Sequence, residues 1–396
     1  MDLFEREVTK KTIFEDRNVM SPHHVPNHLP YREKEINKIM KTLAPSLSQK
    51  RPNNLFVYGG TGTGKTATTR YVLKKLQETK EKYKAKVDSM YLNCRTYNTK
   101  YQTMLKMTQI ACPEENLMGY AFSHLYEKFL NYLDENEQIF VATLDEIDKI
   151  KDLDELLYSL TRANDTLEHG HIGIIGISNK VTFKDKLDPR SKSTLCQEEM
   201  VFPPYNAEQL RSILGERCKT GFKENSYTDS AVSLAAAYAA KESGDARYAL
   251  RLMLKAGELA DDDTQKLTDE FVKKARNAVE EDMILELINA LPDHQAIVLY
   301  GIAALTEEGG KYKRLEDSGD SVLFSGEVYE KYQELCTHWK MQARSARWFR
   351  EYLNELDMMG LITTKISGKG VRGNTRLITL AFPKEKVKNA LKKKFV

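Results

Sequence analysis

Leu55-Phe56-Val57-Tyr58-Gly59-Gly60-Thr61-Gly62-Thr63-Gly64-Lys65-Thr66 is the stretch that decides the fold. Its four leading apolar residues read as a short buried strand, and Ala67 to Glu78 beyond it as a helix. Between them lies a complete G-x-x-x-x-G-K-[ST] pattern. Strand, glycine-rich turn and helix in that order make a phosphate-binding loop. Glycine lets backbone N–H groups turn inward with no Cβ in the way, and the helix N-terminus adds partial positive charge. Gly62, Thr63, Gly64, Lys65, Thr66 and Ala67 are therefore expected to hold a nucleotide. Lys65 supplies a point charge for the β- and γ-phosphates, and Thr66 a hydroxyl for Mg²⁺. The competing reading, a flexible glycine turn, leaves the strand and helix flanks unexplained.

Working outward, Ile139 to Leu144 is a near-continuous apolar run, as a strand buried on both faces requires. It ends in Asp145-Glu146-Ile147-Asp148. A carboxylate at the carboxyl end of a parallel strand lies beside the phosphate loop at the sheet's binding edge. Asp145 is expected to hold Mg²⁺ through its shell, and Glu146 to orient and polarise the attacking water. Asp148 reads as a solvent-facing residue or a cap of the next helix. Asn179 ends the strand 172–178. On position alone it has two readings, an amide reaching the γ-phosphate or water, and an ordinary strand-end turn residue.

Strands near 55–58, 90–93, 139–144 and 172–177 alternate with helices (33–43, 67–78, 100–110, 117–135, 153–163), which predicts an α/β fold with a parallel, doubly wound sheet. After Pro203-Pro204 the pattern turns purely helical, with helices at 206–217, 228–241, 245–259 and 268–280. A third region shows helices near 282–290, 294–305, 325–338 and 344–358. It closes on Leu361 to Lys365 and Thr375 to Leu380, two runs flanking Gly368, Gly370 and Gly373. Helices followed by a hairpin give the order of a winged helix. The expected divisions are an unpacked arm (1–20), a nucleotide-binding base (21–205), a helical lid (206–280) and a DNA-binding domain (281–396).

Net charge is only +3 over 396 residues, but it is unevenly spread. Residues 281–330 carry −8 and residues 331–396 carry +10. A basic end is either a solvated face or a phosphate-binding surface. Local pattern favours the second. Gln342 to Arg350 opens a candidate recognition helix whose Trp348, Leu353 and Leu356 are expected to pack inward. Arg344, Ser345 and Arg347 project where such a helix meets a groove. At the hairpin, Lys369, Arg372, Asn374 and Arg376 stand among glycines that permit close approach to a sugar–phosphate backbone. Five scattered cysteines give neither a C-x-x-C pair nor a disulfide framework. No run of eighteen apolar residues suggests a membrane span, and Met1 to Arg6 lacks a signal-peptide core. A cytoplasmic, nucleoid-associated protein is expected. His23, His24, His28, His169 and His171 lack carboxylate or thiol partners at ligand spacing and read as loop histidines.

These segments resemble a family. Gly59–Thr66, Leu144 to Asp148, Ile175-Gly176-Ile177-Ser178-Asn179, Leu187-Asp188-Pro189-Arg190, Phe202-Pro203-Pro204-Tyr205 and Gly244-Asp245-Ala246-Arg247 together are similar to the AAA+ ATPases. More narrowly they resemble archaeal replication initiators of the origin recognition complex and cell-division-cycle helicase-loader type. The resemblance spans nearly the whole chain and implies an AAA+ base, a lid and a C-terminal winged helix. It makes Asn179 the first sensor and Arg247 the second, an arginine from the lid that touches the γ-phosphate. Tyr205 and Arg217 would lie near the nucleotide at the base–lid hinge, and Val25 to Arg32 would wrap the adenine. Arg190 sits where a finger could reach a neighbour's ATP, although Ser191 replaces the usual Val. Lys100 and Lys106 lie in an insertion that touches DNA in such initiators. The implied function is a slow ATPase, using ATP/ADP and Mg²⁺, that binds double-stranded origin DNA and helps load the replicative helicase, alone or with other copies. Two alternatives stay open: a transcriptional or plasmid-maintenance regulator, and a non-hydrolysing ATP-bound scaffold.

Overall fold

The computed structural model describes residues 12–22, 24–26, 28–263, 265–309, 322–366 and 376–395. It comprises two compact units, residues 1–275 and residues 276–396. No described helix is long and apolar enough to cross a membrane.

The first unit opens with α1 (Glu33–Leu43), β1 (Leu55–Gly59), α2 (Lys65–Tyr83), β2 (Val87–Asn93), α3 (Lys100–Ala111) and α4 (Phe122–Glu135). It continues through β3 (Ile139–Asp145), α5 (Leu153–Thr166), β4 (His171–Ser178), α6 (Pro189–Leu195) and β5 (Glu198–Phe202). The strands form one parallel sheet in the order β2-β3-β4-β1-β5. Alternate side chains point to opposite faces, so each strand feeds two cores. Phe56, Phe140, Ala142, Leu144 and Ile174 pack with Phe129 of α4 and Leu156 of α5. Val57, Val141, Ile175 and Ile177 pack with Ile39 of α1 and Val72 of α2. This is the parallel α/β base that the sequence predicts. The fifth strand, β5, is additional to those the sequence predicts. It pairs with β1 from Leu55–Glu198 to Gly59–Phe202. The helix expected over 117–135 starts only at Phe122.

The lid follows as α7 (Ala207–Gly221), α8 (Asp229–Glu242) and α9 (Ala246–Asp262). A capping box opens α7, with Asn206 and Gln209 satisfying each other's N–H groups. The reading of residues 1–20 as an unpacked arm is corrected for residues 12–20. Phe14 bridges to Phe222, their rings 4.9 Å apart. Glu15 and Asp16 donate N–H bonds to the Gly221 carbonyl at 2.9 and 3.2 Å. Met20 is fully buried against Gly221, which has no Cβ to obstruct it. Phe14 and Met20 drive this docking by removing apolar surface from water.

Helix α10 (Asp269–Ala290) runs unbroken where the sequence suggested two helices. The second unit then holds α11 (Asp293–Glu308), β6 (Leu323–Phe324), α12 (Ser325–His338), α13 (Ala346–Met358), β7 (Ile362–Ile366), β8 (Arg376–Leu380) and α14 (Lys384–Phe395). The three strands form an antiparallel sheet in the order β6-β8-β7, and with the helices they make the winged helix. One reading changes here. Beyond β8, helix α14 buries Val387, Ala390 and Leu391 at i, i+3, i+4 spacing. In α13 the core face is Phe349, Leu353 and Leu356, while Trp348 is 56% exposed.

Phe14→Ala in the full chain is expected to destabilise the first unit by about 3 kcal/mol, the scale for truncating a buried aromatic. Denaturant unfolding followed by circular dichroism measures it; an unpacked arm would give no shift.

Candidate functional site

The phosphate loop joins the end of β1 to the start of α2. Gly62 and Gly64 have φ of +64° and +91°, which side chains resist. Space forbids side chains as well. A Cβ on Gly62 would lie 1.5 Å from Asp245 Oδ1, and one on Gly64 would lie 2.8 Å from the Tyr205 hydroxyl. Asp245 is the N-cap of α9, its carboxylate accepting from the Arg247 and Tyr248 N–H groups at 2.6 and 3.2 Å. Next to it the Ala246 N–H donates to the Gly62 carbonyl at 3.2 Å. The first turn of the lid helix therefore sits directly on the loop. Lys65 is buried, and its Nζ donates to the carbonyls of Gly59 and Gly60 at 2.9 and 2.7 Å. Burial lowers its pKa to about 8; the Asp145 charge opposes that shift, and Arg247 adds to it.

Asp145 is fully engaged. Thr66 Oγ1 donates to its Oδ2 at 2.7 Å, the Tyr91 hydroxyl donates to the same oxygen, and the Glu146 N–H donates to Oδ1 at 2.9 Å. Burial, with the Asp145 charge second, pushes the Tyr91 phenol well above its usual range. Glu146 adopts the left-handed conformation (φ +54°), which turns the chain sharply out of β3. Gly62 to Ala67, Asp145, Glu146, Asn179, Tyr205, Arg217 and Arg247 all line one cleft of about 560 Å³. Cations gather at the loop end. Pro26, Leu29, Pro30, Ile213 and Leu250 give the cleft an apolar remainder. A glycine cradle, a buried lysine and the opening turn of α2 fit a polyphosphate, and the apolar part fits a flat base. Thr66 and Asp145 offer oxygen donors suited to Mg²⁺.

Several residues of the site carry no signal in the local sequence. Arg32 is 2% exposed, and its Nε donates to the Thr63 carbonyl and the Tyr205 hydroxyl at 3.0 and 2.9 Å. Its Nη2 donates to the Pro203 carbonyl at 2.8 Å, its Nη1 pairs with Glu35 at 3.1 Å, and the guanidinium stacks on the Tyr205 ring at 3.9 Å. It ties the phosphate loop to the base–lid connection. Arg217 lines the cleft, but its guanidinium donates to the Val19 and His24 carbonyls at 3.1 and 2.8 Å. The reading of Asp148 as solvent-facing or a helix cap is corrected. Its side chain is 6% exposed, accepts from Ser178 Oγ at 2.9 Å and pairs with Lys180 at 3.7 Å. The partners lie 30 residues or more apart in the chain, so no local pattern announces them.

In the winged helix, Arg344, Ser345 and Arg347 are exposed. Ser345 is the N-cap residue of α13, and Arg344 precedes it. Two tyrosines hold the Arg344 peptide: its N–H donates to the Tyr332 hydroxyl at 3.0 Å, and its carbonyl accepts from the Tyr329 hydroxyl at 3.1 Å. Arg376 donates to Asn354 of α13. Lys369, Arg372 and Asn374 lie outside the described residues. Lys100 pairs with Glu155, and Lys106 donates to Gln109 at 3.0 Å, so both engage their own chain. Arg190 lines a separate cavity of about 400 Å³ with Arg51 and Arg162.

Three family descriptions match the chain in order: AAA ATPase domain over residues 28–175, Cdc6 AAA+ ATPase-type lid domain over 211–277, and CDC6 C-terminal winged helix domain over 286–390. An ORC1-type DNA replication protein of Thermococcus onnurineus is 40% identical over 98% of this chain and 92% of its own. That of Pyrococcus furiosus is 38% identical over 99% and 92%. Among solved structures, Aeropyrum pernix ORC1 in complex with DNA superposes with a TM-score of 0.82 at 35% identity, covering 97% of this chain and 98% of that one. Cdc6p of Pyrobaculum aerophilum shares the fold, with a TM-score of 0.60 at 21% identity over 97% and 99%.

The depressed Lys65 pKa gives a signed prediction. In the unfolded chain the lysine keeps its ordinary 10.5, whereas in the folded chain it loses its proton near 8. The buried charge disfavours the nucleotide-free fold below pH 8, and that penalty fades as pH rises through 8 towards 10.5. The stability of the protein relative to Lys65→Met is therefore expected to rise between about pH 8 and 10.5, as measured by denaturant unfolding at each pH.

Proposed function

The chain belongs to the Cdc6/ORC1-type family of DNA replication proteins, and on that premise we propose that it is an initiator that binds double-stranded origin DNA under the control of ATP. In this reading it also recruits and helps load the replicative helicase, with further copies assembling beside it on DNA. The single observation that carries the ATP control is the seating of the α9 N-cap on Gly62. Any ligand that fills the loop meets the lid at the same place.

The residues take the following roles. Amides of the loop and α2 receive the phosphates, and Lys65 approaches the β- and γ-phosphates from its buried position. Thr66 and the Asp145 carboxylate would hold Mg²⁺, which when bound would neutralise phosphate charge. Glu146 accepts a proton from, and aims, the attacking water; Asn179 fixes that water's orientation. Arg247 brings a lid cation to the developing negative charge, so nucleotide state sets lid angle. Tyr205, pinned by Arg32, and Arg217, holding the Val19 and His24 carbonyls, shape the far side of the cleft. Turnover is slow because it resets a switch. In the wing, Arg344, Arg347 and Arg376 neutralise phosphates, with Ser345 and the helix N-terminus adding donors. The exposure of Arg344, Ser345 and Arg347, and the rigid hold of two tyrosines on the Arg344 backbone, support this face as the DNA contact.

Lys65→Ala is expected to abolish tight ATP binding by calorimetry, and Glu146→Gln to retain binding while stopping phosphate release. Arg344→Ala combined with Arg347→Ala is expected to weaken duplex binding and to flatten its salt dependence, by about one power of salt concentration for each phosphate left unneutralised. An unchanged salt slope would remove these arginines from the DNA-binding face. Footprinting across the organism's own genome, with and without ATP, separates origins from promoter-type sites.

A further inference from the structure

Asp145 Oδ2 accepts two side-chain hydrogen bonds. The one from Thr66 is expected of any phosphate loop next to a strand-end aspartate. The one from Tyr91 is not. Tyr91 comes from β2, the edge strand, where the register sets it opposite Thr143, two residues before Asn93 meets Asp145. Its ring is half-buried, and the Arg70 guanidinium lies over it, 4.1 Å from the ring centre. Arg70 rises from α2, one turn beyond Thr66. The helix that carries the Thr66 hydroxyl thus also clamps the ring that aims the second hydroxyl. Tyr91 and Arg70 both face the cleft.

We propose that Tyr91 is a positioning residue for the divalent cation of this site, acting through Asp145. This inference rests on the nucleotide reading above. A carboxylate with one side-chain donor can rotate and present either oxygen. A second donor on Oδ2, with the Glu146 N–H on Oδ1, fixes the carboxylate plane and spreads its charge. Outer-shell donors of this kind orient metal ligands and sustain metal affinity. The strand that carries Tyr91 contributes no other side chain to Asp145 among the described hydrogen bonds, so the hydroxyl alone joins the sheet edge to the cation's carboxylate.

Tyr91→Phe removes one oxygen and keeps the ring and the Arg70 stack. In the full chain, ADP affinity would be measured by calorimetry in EDTA and over a Mg²⁺ titration, beside the melting temperature of the nucleotide-free protein. The expected result is unchanged ADP affinity in EDTA, an unchanged melting temperature, and about 10-fold more Mg²⁺ for half-maximal tightening of ADP. Arg70→Ala, which frees the ring, is expected to shift the Mg²⁺ requirement the same way by a smaller factor. An unaltered Mg²⁺ requirement in Tyr91→Phe, or an equal loss of ADP affinity in EDTA, would overturn the role of Tyr91 while leaving the nucleotide reading intact. Failure of the unmodified protein to bind ADP at all would take down both.

Discussion

Gly62 has no side chain, and the carboxylate of Asp245 occupies the room that a side chain would need. The organisation of the first unit depends on that substitution of one group for another. The carboxylate caps α9 by accepting two of its first N–H groups, a kind of interaction that contributes about 1 kcal/mol to a helix. The neighbouring amide of Ala246 returns a bond to the loop. Arg247 is therefore held one residue from the phosphate loop itself. A lid that met the base elsewhere could carry the same arginine without any register to the phosphates.

Two buried cations near this junction are treated differently by their surroundings. Arg32 has a carboxylate, two carbonyls, a phenol and two aromatic faces around it. The Nε, Nη1 and Nη2 groups of this guanidinium all find partners in fixed geometry. Lys65 has two carbonyls of its own loop and no carboxylate in described hydrogen-bond contact, and its pKa falls to about 8. The first is a fastener. The second is a charge held in a place where an anion completes it, which is what a binding group needs before its ligand arrives.

The chemistry of the site is legible in the sequence wherever it is local. Gly59 to Thr66 and Asp145-Glu146 announce themselves because strand, turn and charge must follow one another within a few residues. Arg247 emerges only through resemblance, and the resemblance alone chooses between the two readings that Asn179 has by position, since a helix arginine and a strand-end amide have no periodicity of their own. The partners of Arg32, Tyr91 and Asp148 give no local signal because they lie far away in the chain and meet only when the sheet order brings them together. Trp348 misleads for another reason. Residues 349, 353 and 356 follow the four-three spacing of one helix face, and 348 stands about 100° off it. Size suggests burial where angle forbids it.

Residues 12–20 add a mechanical consequence. They are built into the lid, Arg217 of α7 donates to the Val19 and His24 carbonyls, and Pro26, Leu29 and Pro30 line the cleft ahead of α1 of the base. The polypeptide thus spans from lid to base twice, once through this N-terminal stretch and once through Pro203 to Tyr205. Two backbone connections between the same pair of bodies limit the ways one can turn against the other, and the α9 turn that carries Arg247 touches the base at a third place, the phosphate loop.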